Sequence, residues 1–212
     1  MGRGKFITFE GPEGAGKTTQ IHLLERFLTG KGIRVVCTRE PGGTPLAEEL
    51  RKILKHFQNA SEEITPVAEL LLMNAARAQH VRNFIAPALA DGAWVLCDRF
   101  ADSTLAYQGG GRGVDESLVR ATNAAAEGEC VPDRTLLLDL AVEEGRQRTA
   151  ERISTAGNFD RFEREDPAFH RRVRENFLKL VSLEPNRVKR IDASGTPEEV
   201  YARVTEAVCD LL

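Results

Sequence analysis

Two periods of apolar residues alternate along the chain. Nearly continuous apolar runs at Phe6–Phe9, Ile33–Thr38, Trp94–Cys97, Arg134–Leu140 and, more weakly, Arg187–Ile191 read as five strands. Between them the spacing is helical. Ile21, Leu23, Leu24, Phe27 and Leu28 share one face after the first strand. Leu46, Leu50, Ile53 and Leu54 share another, in a helix that Pro45 opens and that runs to about His56. Thr65 reads as an N-cap with Pro66 at the first helical position, and a long helix is expected over Val67–Leu89, ended by Gly92. Further helices are expected at about Glu116–Ala126, Val142–Arg152, Pro167–Leu183 and Pro197–Leu212. Tyr107–Gly113, too glycine-dense for helix or strand, is expected to be a loop. Strands alternating with helices predict an α/β protein with a parallel, doubly wound sheet. No linker, repeat or low-complexity tract divides the chain, so residues 1–212 read as a single domain.

Composition narrows the function classes. The 212 residues are 42% apolar and 29% charged, ordinary for a globular protein, and long enough to bury a sizeable core. A net charge of −3 gives no electrostatic case for nucleic acid or an anionic membrane. No run approaches the ~18 apolar residues of a membrane span, and no signal-peptide or myristoylation pattern is read at the start. Cys37, Cys97, Cys130 and Cys209 are scattered without a C-x-x-C pair and are expected to be reduced thiols. His22, His56, His80 and His170 lack metal-ligand spacing. These features predict a cytoplasmic protein without nucleic-acid or membrane partners.

The candidate chemistry starts where the first strand ends. Gly11-Pro12-Glu13-Gly14-Ala15-Gly16-Lys17-Thr18-Thr19 fits G-x-x-x-x-G-K-[ST], and it lies between a strand and a helix. In that context the loop's N–H groups and the helix N-terminus cradle a triphosphate, Lys17 reaches the β/γ-phosphates and the Thr18 hydroxyl ligates Mg²⁺. Ligands of open α/β sheets bind beyond the carboxyl ends of the strands, so Asp98 and Arg99 should lie near those phosphates. Arg77, Gln79, His80 and Arg82 make the middle of the long helix a candidate ligand wall. Arg146, Arg148 and Arg152 precede the interruption Ser154–Asn158, and Arg161 and Arg164 follow it. A mobile arginine-rich lid at about 146–164 would meet transition-state charge and exclude water. A GTPase would need an N-K-x-D segment, which is absent, and a nucleic-acid motor would need more length and a basic track. A small kinase remains.

Several segments resemble the thymidylate kinase family. They are Thr38-Arg39-Glu40-Pro41-Gly42-Gly43, Ala76–His80, Asp98-Arg99-Phe100, Ser103–Gly111 and Phe159–Glu163. The resemblance implies a P-loop NTPase fold of the nucleoside monophosphate kinase kind, a five-stranded parallel sheet flanked by helices. It implies transfer of the ATP γ-phosphoryl to dTMP, with Mg²⁺, in a homodimer. Carried over by motif, Arg77 would bond the thymine edge, with Ser103 and Gln108 near the base and Tyr107 against the sugar. Arg99 would hold the dTMP phosphate, Glu40 and Pro41 would shape the nucleotide wall, and Asp160 would touch dTMP from the lid. Glu10 and Asp98 would organise magnesium, water or the acceptor site. Pro12–Ala15 carries no cation, which resembles the bacterial type whose lid supplies the catalytic arginines, here Arg148 and Arg152. The aromatic that usually stacks on thymine is replaced by Met73. A kinase of another nucleoside monophosphate, such as dUMP or UMP, and a non-catalytic nucleotide-binding regulator stand as alternatives.

Overall fold

The computed structural model describes residues 2–59, 61–156 and 160–212, those at 152–156 by backbone only. Five strands, β1 (Phe6–Glu10), β2 (Val35–Arg39), β3 (Trp94–Asp98), β4 (Arg134–Asp139) and β5 (Val188–Asp192), form one sheet in the order β2-β3-β1-β4-β5. All pairings are parallel, with Phe9 opposite both Asp98 and Leu136. The five predicted strands are therefore present, and their carboxyl ends share one edge.

The helices are α1 (Lys17–Gly30), α2 (Pro45–His56), α3 (Pro66–His80), α4 (Ala86–Ala90), α5 (Ala101–Thr104), α6 (Glu116–Glu127), α7 (Val142–Ala156), α8 (Pro167–Leu183) and α9 (Pro197–Glu206). Helices α2, α3, α8 and α9 begin alike. Thr44, Thr65, Asp166 or Thr196 accepts a hydrogen bond from the backbone N–H three residues on, and proline fills the first helical position. This local chemistry explains why those starts were legible.

Both faces of the sheet are covered. Ile7, Phe9, Leu96, Leu136 and Leu138 pack with Ile21, Leu24 and Leu28 of α1 and Val200 and Val204 of α9. On the other face, Phe6 and Val95 pack with Val81, Ile85 and Leu89, and Leu137 and Val188 with Phe169, Val173 and Phe177. Burying several such side chains at about 1.5–3 kcal/mol each holds the strand ends, and hence the site, in place.

The helical stretches depart from expectation in several places. The long helix is α3, a π-helical turn over Val81–Ile85, and α4. The φ/ψ values at its junctions, His80, Val81, Ile85 and Ala86, are helical, and the wide turn precedes Pro87, which has no N–H to give the preceding turn. Helix α7 continues to Ala156, past the expected end at Arg152. The last helix stops at Glu206, short of Leu212, and a 3₁₀ turn follows at Cys209–Leu211. The expected loop at Tyr107–Gly113 is instead π-helical over Leu105–Gly111. The glycines there serve close approach to α8. A Cβ on Gly110 would come within 2.1 Å of the Asn176 amide, and one on Gly111 within 2.5 Å of the Phe169 ring. On α2, Leu54 is buried, but Leu46 and Ile53, read on the same face, are exposed.

Candidate active site

Strand β1 delivers the chain to the phosphate loop. Gly11 turns at φ 132°, and a Cβ there would sit 2.2 Å from the Leu138 carbonyl oxygen. Gly14, at φ 77°, lies equally close to the backbone of Gly145 on α7. Only glycine lets β1, the loop and α7 nest this tightly. Lys17, buried, donates from Nζ to the carbonyls of Pro12 (2.9 Å) and Gly11 (3.3 Å). Burial, then Arg99, pushes its ammonium below the usual lysine range, against the opposing Glu13 and Asp98. Thr18 Oγ1 donates to Asp98 Oδ2 across 3.1 Å, joining the loop to the end of β3.

Arg99 follows Asp98 with φ 71°, a left-handed conformation uncommon for a residue with a side chain. Its Nη2 donates to Glu13 Oε1 (2.9 Å) and Tyr107 Oη (3.1 Å), and its Nη1 to Ser103 Oγ (3.1 Å). Burial opposes ionisation of Glu13, but Arg99, Lys17 and Lys55 outweigh it and hold the carboxyl below the usual carboxylate range. Glu10 lies beneath this turn, fully buried, and accepts from the N–H groups of Phe100 (2.8 Å) and Ser103 (3.2 Å) and from the Ser103 hydroxyl. Burial, and secondarily Asp102, raises its pKa to about 7. Glu10 thus supports the Asp98–Ser103 turn from below. Its carboxylate lies against the Phe100 and Ser103 backbone, bonded to a turn that lines the cleft described below rather than lining that cleft itself.

The loop and the turn bound a cleft of about 570 Å³. Glu13, Gly14, Gly16, Lys17, Thr18 and Thr19 line one side; Glu40, Pro41, Met73, Arg77, Ser103, Tyr107, Gln108 and Asp160 line the other, with Asp98 and Arg99 between. Arg148 reaches the cleft from α7, bonding Glu144 Oε1 (2.6 Å) and the Ala193 carbonyl (3.4 Å). Of the remaining predicted residues, Gly11 and Pro12 act through the carbonyls that hold Lys17, and Ala15 is buried. The Arg152 side chain lies outside the described residues, as does Phe159.

The wall around Arg77 is prearranged. Arg77 is 2% exposed; Nε donates to Glu40 Oε2 (2.8 Å), Nη1 to Asn74 and Asn123, and Nη2 to Thr104. One of its five N–H groups, on Nη2, remains for a ligand. Glu40 in turn pairs with His80 Nδ1 at 3.0 Å, and His80 Nε2 with Thr38 Oγ1 at 2.7 Å. Phe100 is edge-on to Phe6 in the core, under the Arg77 guanidinium. Tyr107 is wedged among Phe162, Phe169 and Phe177.

Sequence reasoning missed Arg51 and Lys55, which face the cleft from α2. Arg51 Nη1 donates to the Pro41 carbonyl (2.7 Å), and Lys55 pairs with Asp160 Oδ2 (2.7 Å). Their i, i+4 spacing was the available signal. Arg161, grouped with the lid cations, is anchored to the Leu54 carbonyl and to Glu69.

With this geometry in view, the relatives are informative. The thymidylate kinase family model matches residues 9–204. The chain is 52% identical over 207 residues to the thymidylate kinase of Geobacter sulfurreducens, covering 97% of this chain and 96% of that one. It is 47% identical over 209 residues to that of Rhizorhabdus wittichii, covering 99% of each. The crystal structure of thymidylate kinase from Ehrlichia chaffeensis superimposes with a TM-score of 0.76 at 35% identity, over 97% of this chain and 99% of that one. A P-loop with its lysine, a buried arginine wall facing it and similarity along nearly the whole length agree: the chain belongs to the thymidylate kinase family.

Proposed function

We propose that the protein transfers the γ-phosphoryl of ATP to dTMP, giving dTDP and ADP. The observation that carries this is the cleft itself, with the Lys17–Thr18 loop on one side and Arg77, Tyr107 and Gln108 on the other. ATP phosphates lie along Gly11–Thr19, where Lys17 leaves its carbonyl partners for the β/γ-oxygens. Arg99 exchanges Glu13 for the dTMP phosphate, a more anionic partner. Arg77 gives its spare N–H to a thymine carbonyl, Met73 covers the ring, and Tyr107 packs against the sugar. Ser103 and Gln108 lie near the base, Glu40 and Pro41 form the wall, and Asp160 meets dTMP from the far side.

The reaction needs no strong base, because a phosphate monoester already carries negative charge near neutral pH. Alignment and charge neutralisation remain. Arg148 and Arg152, one helical turn apart on α7, approach the transferring group from the lid at 146–164. Among the described residues no three His, Cys, Asp or Glu side chains form a metal cage. The Thr18 and Asp98 side chains offer the hard oxygen ligands that would hold Mg²⁺. When bound, Mg²⁺ neutralises charge on the β,γ-phosphates. The exposed Leu46, Ile53, Val67 and Leu71 on α2 and α3 support a homodimer. No helix among the described residues is long and apolar enough to cross a membrane, which accords with a cytoplasmic enzyme. A coupled ADP-release assay with ATP, Mg²⁺ and dTMP, dUMP, UMP, CMP or thymidine tests the assignment. Fastest turnover with dTMP supports it, and turnover best with UMP or CMP refutes it.

A further inference from the structure

One carboxylate outside the cleft gathers three parts of the acceptor side. Glu69, in the first turns of α3, is fully buried. Its Oε1 accepts from Gln108 Nε2 (2.7 Å) and Arg112 Nε (3.2 Å), and its Oε2 from Arg161 Nη2 (2.5 Å). A buried carboxylate persists only where donors surround it, and these come from the π-helical segment, the turn after it and the chain following α7. An ionised carboxylate accepts and never donates, so Gln108 must turn its NH₂ toward Glu69. The amide carbonyl oxygen, on the side away from Glu69, has no partner among the described residues and is the acceptor Gln108 has for the cleft it lines. Arg161 is fixed at two further points, its backbone N–H on the Lys55 carbonyl and its Nε on the Leu54 carbonyl, each at 3.0 Å.

We infer that Glu69 is a positioning residue that sets the class of acceptor base. By pinning the Gln108 amide, it presents a hydrogen-bond acceptor to the pyrimidine. A thymine or uracil ring donates its imide N3–H to that oxygen. A cytosine ring carries a lone pair at N3 and is repelled. Through Arg161, the same carboxylate keeps the segment bearing Asp160 and Phe162 in register with the base wall. The inference rests on the acceptor-side reading of Gln108, and its test separates the two.

The measurement is the ratio of kcat/KM for dTMP over dCMP in wild type, Glu69→Gln, Gln108→Leu and the double variant. Glu69→Gln preserves volume but removes the charge, so the facing amides can turn. The ratio is expected to fall at least about tenfold in each single variant, with KM for ATP within about twofold of wild type. The double variant should fall no further than Gln108→Leu, because both changes act through one amide. A packing role alone would lower the active fraction equally for both acceptors and leave the ratio unmoved. Glu69→Asp, which keeps the charge but withdraws it by one methylene, offers a milder variant with an expected fall of about threefold or more. Folded Glu69 variants with an unchanged ratio, beside a fallen ratio in Gln108→Leu, overturn the role of Glu69 alone. An unchanged ratio in Gln108→Leu overturns the acceptor-side reading beneath it.

Discussion

Replacing Glu10 by Gln makes the burial argument quantitative. The carboxyl is fully enclosed, and its folded-state pKa is about 7 against 4.5 when exposed. A raised folded pKa means that the native state holds the proton more tightly. The stabilisation is complete below the unfolded value and is lost as pH rises through the folded one. At roughly 1.4 kcal/mol per pH unit, the full loss is about 3 kcal/mol, of which roughly 2–3 falls between about pH 5 and pH 8. Glutamine retains an oxygen for the Phe100 and Ser103 N–H groups but cannot titrate. Its own hydrogen-bonding difference is therefore independent of pH. Other titrating groups, such as His170, whose pKa burial lowers, are common to both proteins and cancel. Urea unfolding of both proteins at several pH values gives the difference directly. The variant should gain roughly 2–3 kcal/mol on wild type from about pH 5 to pH 8. A difference that stays flat across that range means Glu10 ionises like an exposed carboxylate, and the reasoning from burial fails.

Three further outcomes follow from the same geometry. Lys17→Met should abolish turnover while leaving dTMP affinity, measured calorimetrically, within a few-fold of wild type; loss of dTMP binding would contradict the division into donor loop and acceptor pocket. Arg152→Ala should lower kcat far more than it raises KM for dTMP, and an unchanged kcat in steady-state assays would remove Arg152 from the catalytic set. Gly111→Ala places a methyl 2.5 Å from the Phe169 ring and 3.0 Å from Val173, so denaturant unfolding should register a loss of about 1–3 kcal/mol.

Much of the fold could be read from the chain because its signals are local. Parallel strands buried on both faces are continuous apolar runs, and Thr-Pro or Asp-Pro pairs mark the helix starts within one turn. The turn of the glycine loop was equally legible, since Gly11, Gly14 and Gly16 take their positive φ where they stand. Residues whose meaning depends on distant partners were harder. Glycine density at Tyr107–Gly113 suggested a loop because nothing nearby announces that α8 presses against Gly110 and Gly111. Nothing near Glu10 in the sequence announces the turn at residues 100–103 that folds over it and takes its hydrogen bonds. On α2 the leucine pattern drew the eye to one face, while Arg51 and Lys55 faced the cleft and part of the apolar face stayed exposed. Glu69 carried no signal, because its three donors lie 39 to 92 residues away.

The most direct test of the account follows the phosphoryl group itself. ATP labelled at the γ-phosphate is incubated with dTMP, Mg²⁺ and the protein, and the labelled product is identified. The cleft predicts label in dTDP, at a rate set by protein concentration and lost in Lys17→Met. Label released as inorganic phosphate, or none transferred to dTMP by the folded wild-type protein, would contradict it.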